Sequence, residues 1–273
     1  MSLIYAKWLL AGLAGGAGCG LTGFVLVSLN LPFLGVCLAH AALAGAVLAH
    51  YLGTPVLGTA LVFSMLVSAV VGPVADRTRT HANTVMSILF SLNLGLAFLG
   101  IGLMRDQRSE LLGLMWGNLL LVRWQDLGPL FLAWILPLVL LSLFAKEAKA
   151  VLFDRDIARA CGIHASAVYY AIMAFSGFTV TVNLNIVGGL MLFSLLTNPA
   201  VAAMQMARGY RSSAMLSMLL GALSAMGGLV LSFLMDWPAG ASIVLISSLI
   251  YAVALALRPL VHGPGMELSR SLS

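Results

Sequence analysis

The sequence predicts an all-α polytopic membrane protein, with eight to nine transmembrane helices in one bundle. Three observations carry that reading. Of its 273 residues 61% are hydrophobic and only 8% charged, and the mean hydropathy is +1.05, a composition that water-soluble domains of this length do not need. Apolar windows of roughly 20 residues, the length required to cross the hydrocarbon core, recur along the whole chain. Nothing shows the ten-residue alternation of a membrane barrel, and backbone groups in lipid must be bonded within their own segment, which leaves helices.

The windows run in order over 8–29, 33–52, 56–75, 85–104, 127–145, 165–182, 187–207, 215–235 and 239–257, separated by Pro, Gly, Asn or charge. The opening MSLIYAKWLL resembles a secretory leader, because Lys7 precedes an apolar run and small residues cluster near Ala17. Eight further windows downstream make it a first transmembrane helix instead. Cys19, Cys37 and Cys161 are scattered in or beside apolar segments, so they form neither a disulfide framework nor a CxxC site. Gly12, Gly16 and Gly20 make two overlapping GxxxG steps in the first window, which let another helix approach closely.

Lysine and arginine orient the bundle. Seven of the 23 charged residues fall within fourteen positions, Lys146 to Arg159. If that island is cytoplasmic, nine spans put it on one side with Arg77, Arg79, Arg208, Arg211, Arg258 and Arg270, ten of the fourteen basic residues. The N-terminus is then outside and the C-terminus inside. The stretch 111–122 (LLGLMWGNLLLV) is too short to span and reads as an interfacial or re-entrant piece; a span there would flip everything before it.

Polar residues inside spans are costly and mark function. In the second window Cys37 and His40 lie three residues apart on one helical face, and thiolate and imidazole both suit zinc and related metals. The alternative is a packed small hydrophobe and a hydrogen-bonded bundle histidine. His50 and Tyr51 form an interfacial cluster. Asp236, in MDWPAGAS between the last two windows, is either a turn residue or a carboxylate at the external mouth that attracts cations. Asn183 and Asn185 bracket a short turn after the sixth window, and Pro199 after Asn198 kinks the seventh helix; that kink is architectural or lines a path.

No nucleophile motif, HExxH, phosphate loop or nucleotide fold is visible, so the chain is not an ATPase or other enzyme by any recognisable route. No basic tract with interleaved aromatics occurs either. The pI of about 9.4 therefore reflects loop charge, not nucleic-acid binding.

Within the island, Asp154, Arg155, Asp156, Ile157, Arg159 and Gly162 have the layout of a short amphipathic helix. The acids lie at its dipole-positive start, Asp156 can pair with Arg159, and Gly162 stops it. Phe153, Ile157 and Ala160 share one face that could dock in a groove of a cytoplasmic partner; a solvated loop is the other reading.

In order along the chain, AHAALAG (39–45), WGNLLLVRWQDL (116–127), LFDRDIARACGI (152–163), NIVGGLMLFSLLTNPAVAA (185–203) and GGLVLSFLMDWPAGASIVL (227–245) resemble the permease subunit of the ABC-3 family of ATP-binding-cassette importers. The resemblance implies one transmembrane permease domain over 1–273 with a cytoplasmic coupling segment at 146–164, in a bacterial or archaeal cytoplasmic (inner) membrane. It implies a homodimeric pore, two cytoplasmic ABC ATPase subunits that bind and hydrolyse ATP, and an extracytoplasmic metal-binding protein that delivers a divalent metal, zinc or manganese. No cofactor is held permanently; the metal ion is cargo, and His40, Cys37 and Asp236 are its candidate ligands on the path. The short helix at 154–162 corresponds to the element seated on the ATPase. Family members often carry an acid one turn before the second-span histidine and read HAALPG; here those positions are Val36 and Ala44, and Cys37 points about 100° round the helix from Val36. An ion-gradient-driven secondary transporter would be expected to show buried carboxylates or inverted repeats. That reading and a non-transport membrane scaffold are the alternatives.

Overall fold

The computed structural model describes residues 2–104, 111, 113, 117 and 122–262. Among them eleven helices occur: α1 (Ser2–Ser28), α2 (Leu34–Leu52), α3 (Val56–Thr78), α4 (Ala82–Leu103), α5 (Trp124–Leu143), α6 (Ala145–Phe153), α7 (Arg155–Ala160), α8 (Ala165–Val187), α9 (Gly189–Met206), α10 (Tyr210–Met235) and α11 (Ala239–His262). Eight are long and apolar enough to cross a membrane; the apolar part of α9, Met191–Met206, is shorter. The nine expected windows thus become eight spans and one short helix, within the expected range.

Close packing here cannot come from the hydrophobic effect, since lipid tails are as apolar as leucine, so small residues decide it. Helices α1 and α10 meet at the expected glycine steps. A Cβ added at Gly16 would collide with the carbonyl of Gly221, and one at Gly20 with that of Ser217. The Ser217 hydroxyl donates to the Gly20 carbonyl at 2.6 Å, a buried bond between the two helices that removes a polar group from lipid. Helix α3 is joined to α8 by a hydrogen bond between the Ser64 and Thr181 hydroxyls, 2.7 Å apart.

The ends of the helices sort cleanly. Arg155 pairs with Asp76 at the end of α3, Lys149 lies over the ring of Tyr210 at the start of α10, and Asn83 Nδ2 donates to the Asn30 carbonyl. Helices α1, α3, α5 and α9 therefore run toward the charged island, and α2, α4, α8 and α10 away from it. The C-terminal end of α4 and the N-terminal end of α5 share the far face. Most of 111–122 lies outside the described residues; Leu111 is buried beside Leu43, Val47 and Ala97.

One expectation changes. Asn183 and Asn185 are not in a turn: α8 continues to Val187 and stops at Gly188, whose φ of 90° a side chain would resist. Asn183 is buried and donates to the Thr179 carbonyl at 2.8 Å. The island holds two helices, α6 and the short α7, separated by Asp154, which is extended at φ −161° and ψ 123°.

Candidate functional site

The second-span residues separate in the structure. His40 is 5% exposed. Its Nδ1 lies 2.9 Å from the Val36 carbonyl, and a carbonyl can only accept, so in the neutral ring Nδ1 carries the proton and Nε2 keeps its lone pair. The ring meets Phe90 edge-on, centroids 4.8 Å apart, which fixes its plane. His40 lines a cavity of about 410 Å³ between α2, α4 and α9, together with Val36, Phe90, Phe98 and Phe193. Cys37 does not line it. The thiol is 0% exposed and packs in the main hydrophobic core.

Asp236 is exposed at the far end of α10, where it adopts φ 54° and ψ 37° as the helix C-cap. That left-handed conformation suits a short polar side chain. The Ser232 hydroxyl donates to the Trp237 carbonyl at 2.6 Å and the Trp237 N–H returns to the Ser232 carbonyl, so the turn is closed without the Asp236 carboxylate. His40, Cys37 and Asp236 are not brought together. Among the described residues no group of three or more His, Cys, Asp or Glu is placed to hold an ion. A second groove, of about 330 Å³, passes Leu21, Val25, Leu141 and Ile172 and offers no charged group.

At the island end the candidate coupling residues assemble. Asp154 Oδ1 accepts from the N–H groups of Asp156 at 2.8 Å and Ile157 at 2.9 Å, capping α7. Arg159 pairs with Asp156 at 3.0 Å and donates to the Ser166 hydroxyl at 3.1 Å. Gly162, at φ 80°, closes the helix as its N–H reaches the Arg159 carbonyl and the N–H of Ile163 reaches that of Ala158, the Schellman arrangement. Ala158 is buried, whereas Ile157 is 54% and Phe153 84% exposed. The three residues expected on one face are all exposed, with Phe153 supplied by the end of α6 and not by α7.

Arg155 does not share that exposure. Its guanidinium donates to Asp76 at 3.2 Å and lies 4.5 Å from the ring centroid of Tyr169, so it ties α7 to α3 and α8 and presents little charge outward. Asp76, Ser166 and Tyr169 went unnoticed in the sequence. The one available signal was Asp76 itself, the single acid in the otherwise basic ADRTRT at the end of the third window.

A model of the ABC 3 transport family matches residues 2–258. The chain is 29% identical over 240 residues to an uncharacterized membrane protein of Synechocystis, covering 88% of this chain and 85% of that one. It is 26% identical to the manganese transport system membrane protein MntC of Halalkalibacterium halodurans, over 88% of this chain and 82% of the relative. It is also 26% identical to the high-affinity zinc uptake system membrane protein ZnuB of Haemophilus influenzae, over 85% and 89%. Among solved structures, PsaBC from Streptococcus pneumoniae in complex with Fab superposes with a TM-score of 0.82 at 24% identity, over 92% of this chain and 91% of that chain. An inward-facing putative metal-chelate type ABC transporter gives 0.75 at 20%, over 92% and 85%. These two likenesses concern the fold.

Proposed function

Because this chain belongs to the ABC 3 transport family, we propose that it is the membrane permease subunit of an importer for divalent transition metal ions. ATP is bound and hydrolysed by a separate cytoplasmic chain, and an extracytoplasmic metal-binding protein delivers the ion. Two copies of the chain enclose the path. Manganese and zinc, named for its relatives, are the first candidates for cargo.

The observation that carries this reading is α7. A six-residue helix, capped at both ends, is held to the spans by Arg155 and leaves Phe153 and Ile157 exposed at the most charged end of the molecule. Apolar side chains that face water and not lipid want a partner surface. A force delivered there passes through Arg155 and Asp76 to α3 and through Ser166 to α8. On the path, His40 offers one Nε2 lone pair into an aromatic-walled cavity. One nitrogen per chain gives weak, transient binding, which a pore needs if its ion is to leave.

The reading is tested by uptake of manganese and zinc into vesicles containing the chain with its ATPase. His40→Ala should reduce uptake of at least one metal while ATPase and permease still copurify. A variant that transports both metals like the parent would exclude the ligand role.

A further inference from the structure

Helix α9 has a face unlike the other membrane surfaces of the molecule. Its buried positions, such as Leu192, Leu195, Leu196 and Ala203, cover one side. The open side starts at Phe193, on the rim of the His40 cavity. It passes Met204, Thr197, Val201, Ser194 and Gln205 and ends at Asn198, about 140° round the helix at 100° per residue, so four of its seven positions are polar. These polar residues are half-buried, covered in part by the chain and open on the remaining side. The exposed positions of α3, by contrast, include Val62, Leu66 and Val70, the composition that hydrocarbon demands.

Asn198 is the most specifically arranged member of this face. Its Nδ2 donates to the hydroxyls of Ser247 at 3.2 Å and Ser248 at 3.1 Å, in the middle of α11. Ser247 spends its only proton on the Val244 carbonyl, 2.9 Å away, so it must accept from Asn198, and that assigns the amide: both N–H groups face the serines and Oδ1 is turned from them. Among the described residues no donor reaches that oxygen. The next residue, Pro199, has no N–H to give the Leu195 carbonyl, so the helix ladder is interrupted at this turn.

We infer that the open face of α9 lines the ion path and that the Asn198 amide oxygen is a way-station for the cation between the His40 cavity and the island end. The inference rests on the proposed path between two copies. A neutral carbonyl-type oxygen suits hard ions of the manganese kind and holds them weakly, and helix interruptions that free backbone oxygens serve cations in other transporters.

The test is cysteine accessibility in right-side-out membrane vesicles carrying the chain with its ATPase, after Cys19→Ala, Cys37→Ala and Cys161→Ser. A membrane-impermeant methanethiosulfonate should label Phe193→Cys, Thr197→Cys and Asn198→Cys but not Leu66→Cys, and millimolar Mn²⁺ alone should slow labelling at Thr197→Cys by about threefold or more, as occupancy of a weak site at the neighbouring Asn198 amide would. Thr197→Cys, which keeps the amide, gives the same path readout where Asn198→Cys does not fold. If Phe193→Cys is labelled while Thr197→Cys and Asn198→Cys react no faster than Leu66→Cys, the inference fails and the path reading stands. If none of the α9 cysteines is labelled, both fail. Labelling of Thr197→Cys that Mn²⁺ leaves unchanged would remove the way-station and leave a pore-lining face.

Discussion

At the scale of single residues, His40 and Cys37 show how far spacing carries an argument. Three positions apart on a helix, they were expected on one face, and so they are in projection. Burial then divides them, because α2 is packed on most of its circumference and only the sector of Val36 and His40 opens on the cavity. No sequence pattern reveals which sector stays open; that is fixed by where α4 and α9 leave a gap. Val36 sits where a carboxylate would face His40 across one turn, which yields a prediction. Val36→Glu should tighten Mn²⁺ or Zn²⁺ binding by about tenfold or more, the order by which a metal's surroundings alter its affinity, measured by calorimetry on the purified chain in lipid nanodiscs. Equal affinity in parent and variant would mean that the cavity takes no ion.

At the scale of elements, α7 was legible because its signals are local: Asp154 as cap, Asp156 with Arg159 as pair and Gly162 as stop all lie within nine positions. Its division from α6 was not. The i, i+4 spacing of Phe153 and Ile157 suits a continuous helix, and only the extended backbone at Asp154 breaks it. Removing the cap isolates the contribution of this element. Asp154→Ala should cost α7 about 1 kcal/mol and lower transport-linked ATP turnover, while the thermal midpoint of the eight-span body stays within a degree or two. Phe153→Ala, at a residue 84% exposed, should weaken copurification of the ATPase with the fold unchanged. Retention of both activities in the two variants would mean that α7 is not the docking element.

At the scale of the whole molecule, the number of spans could be read from composition, whereas their sidedness depended on a count that one short segment could overturn. The contacts of Arg155, Lys149 and Asn83 remove that dependence by tying four helix ends to one face. A native probe checks the orientation. Cys161 is exposed, and Cys19 and Cys37 are buried, so an impermeant maleimide should label Cys161 in inverted vesicles and not in right-side-out ones. The reverse pattern would turn the protein over.

The α1–α10 contact constrains how such a body can move. Sliding either helix by one residue, about 1.5 Å, would bring a Cβ or a side chain against a backbone that accepts only the hydrogens of Gly16, Gly20 and Gly221, and would pull the Ser217 hydroxyl off the Gly20 carbonyl. Gly221→Leu should therefore destabilise the protein by about 1–3 kcal/mol through overpacking, read as a lower unfolding midpoint in detergent. An unchanged midpoint would mean that the pair has slack. Without slack, α1 and α10 are geared together as one strut, and whatever alternation opens the path must swing that strut as a unit.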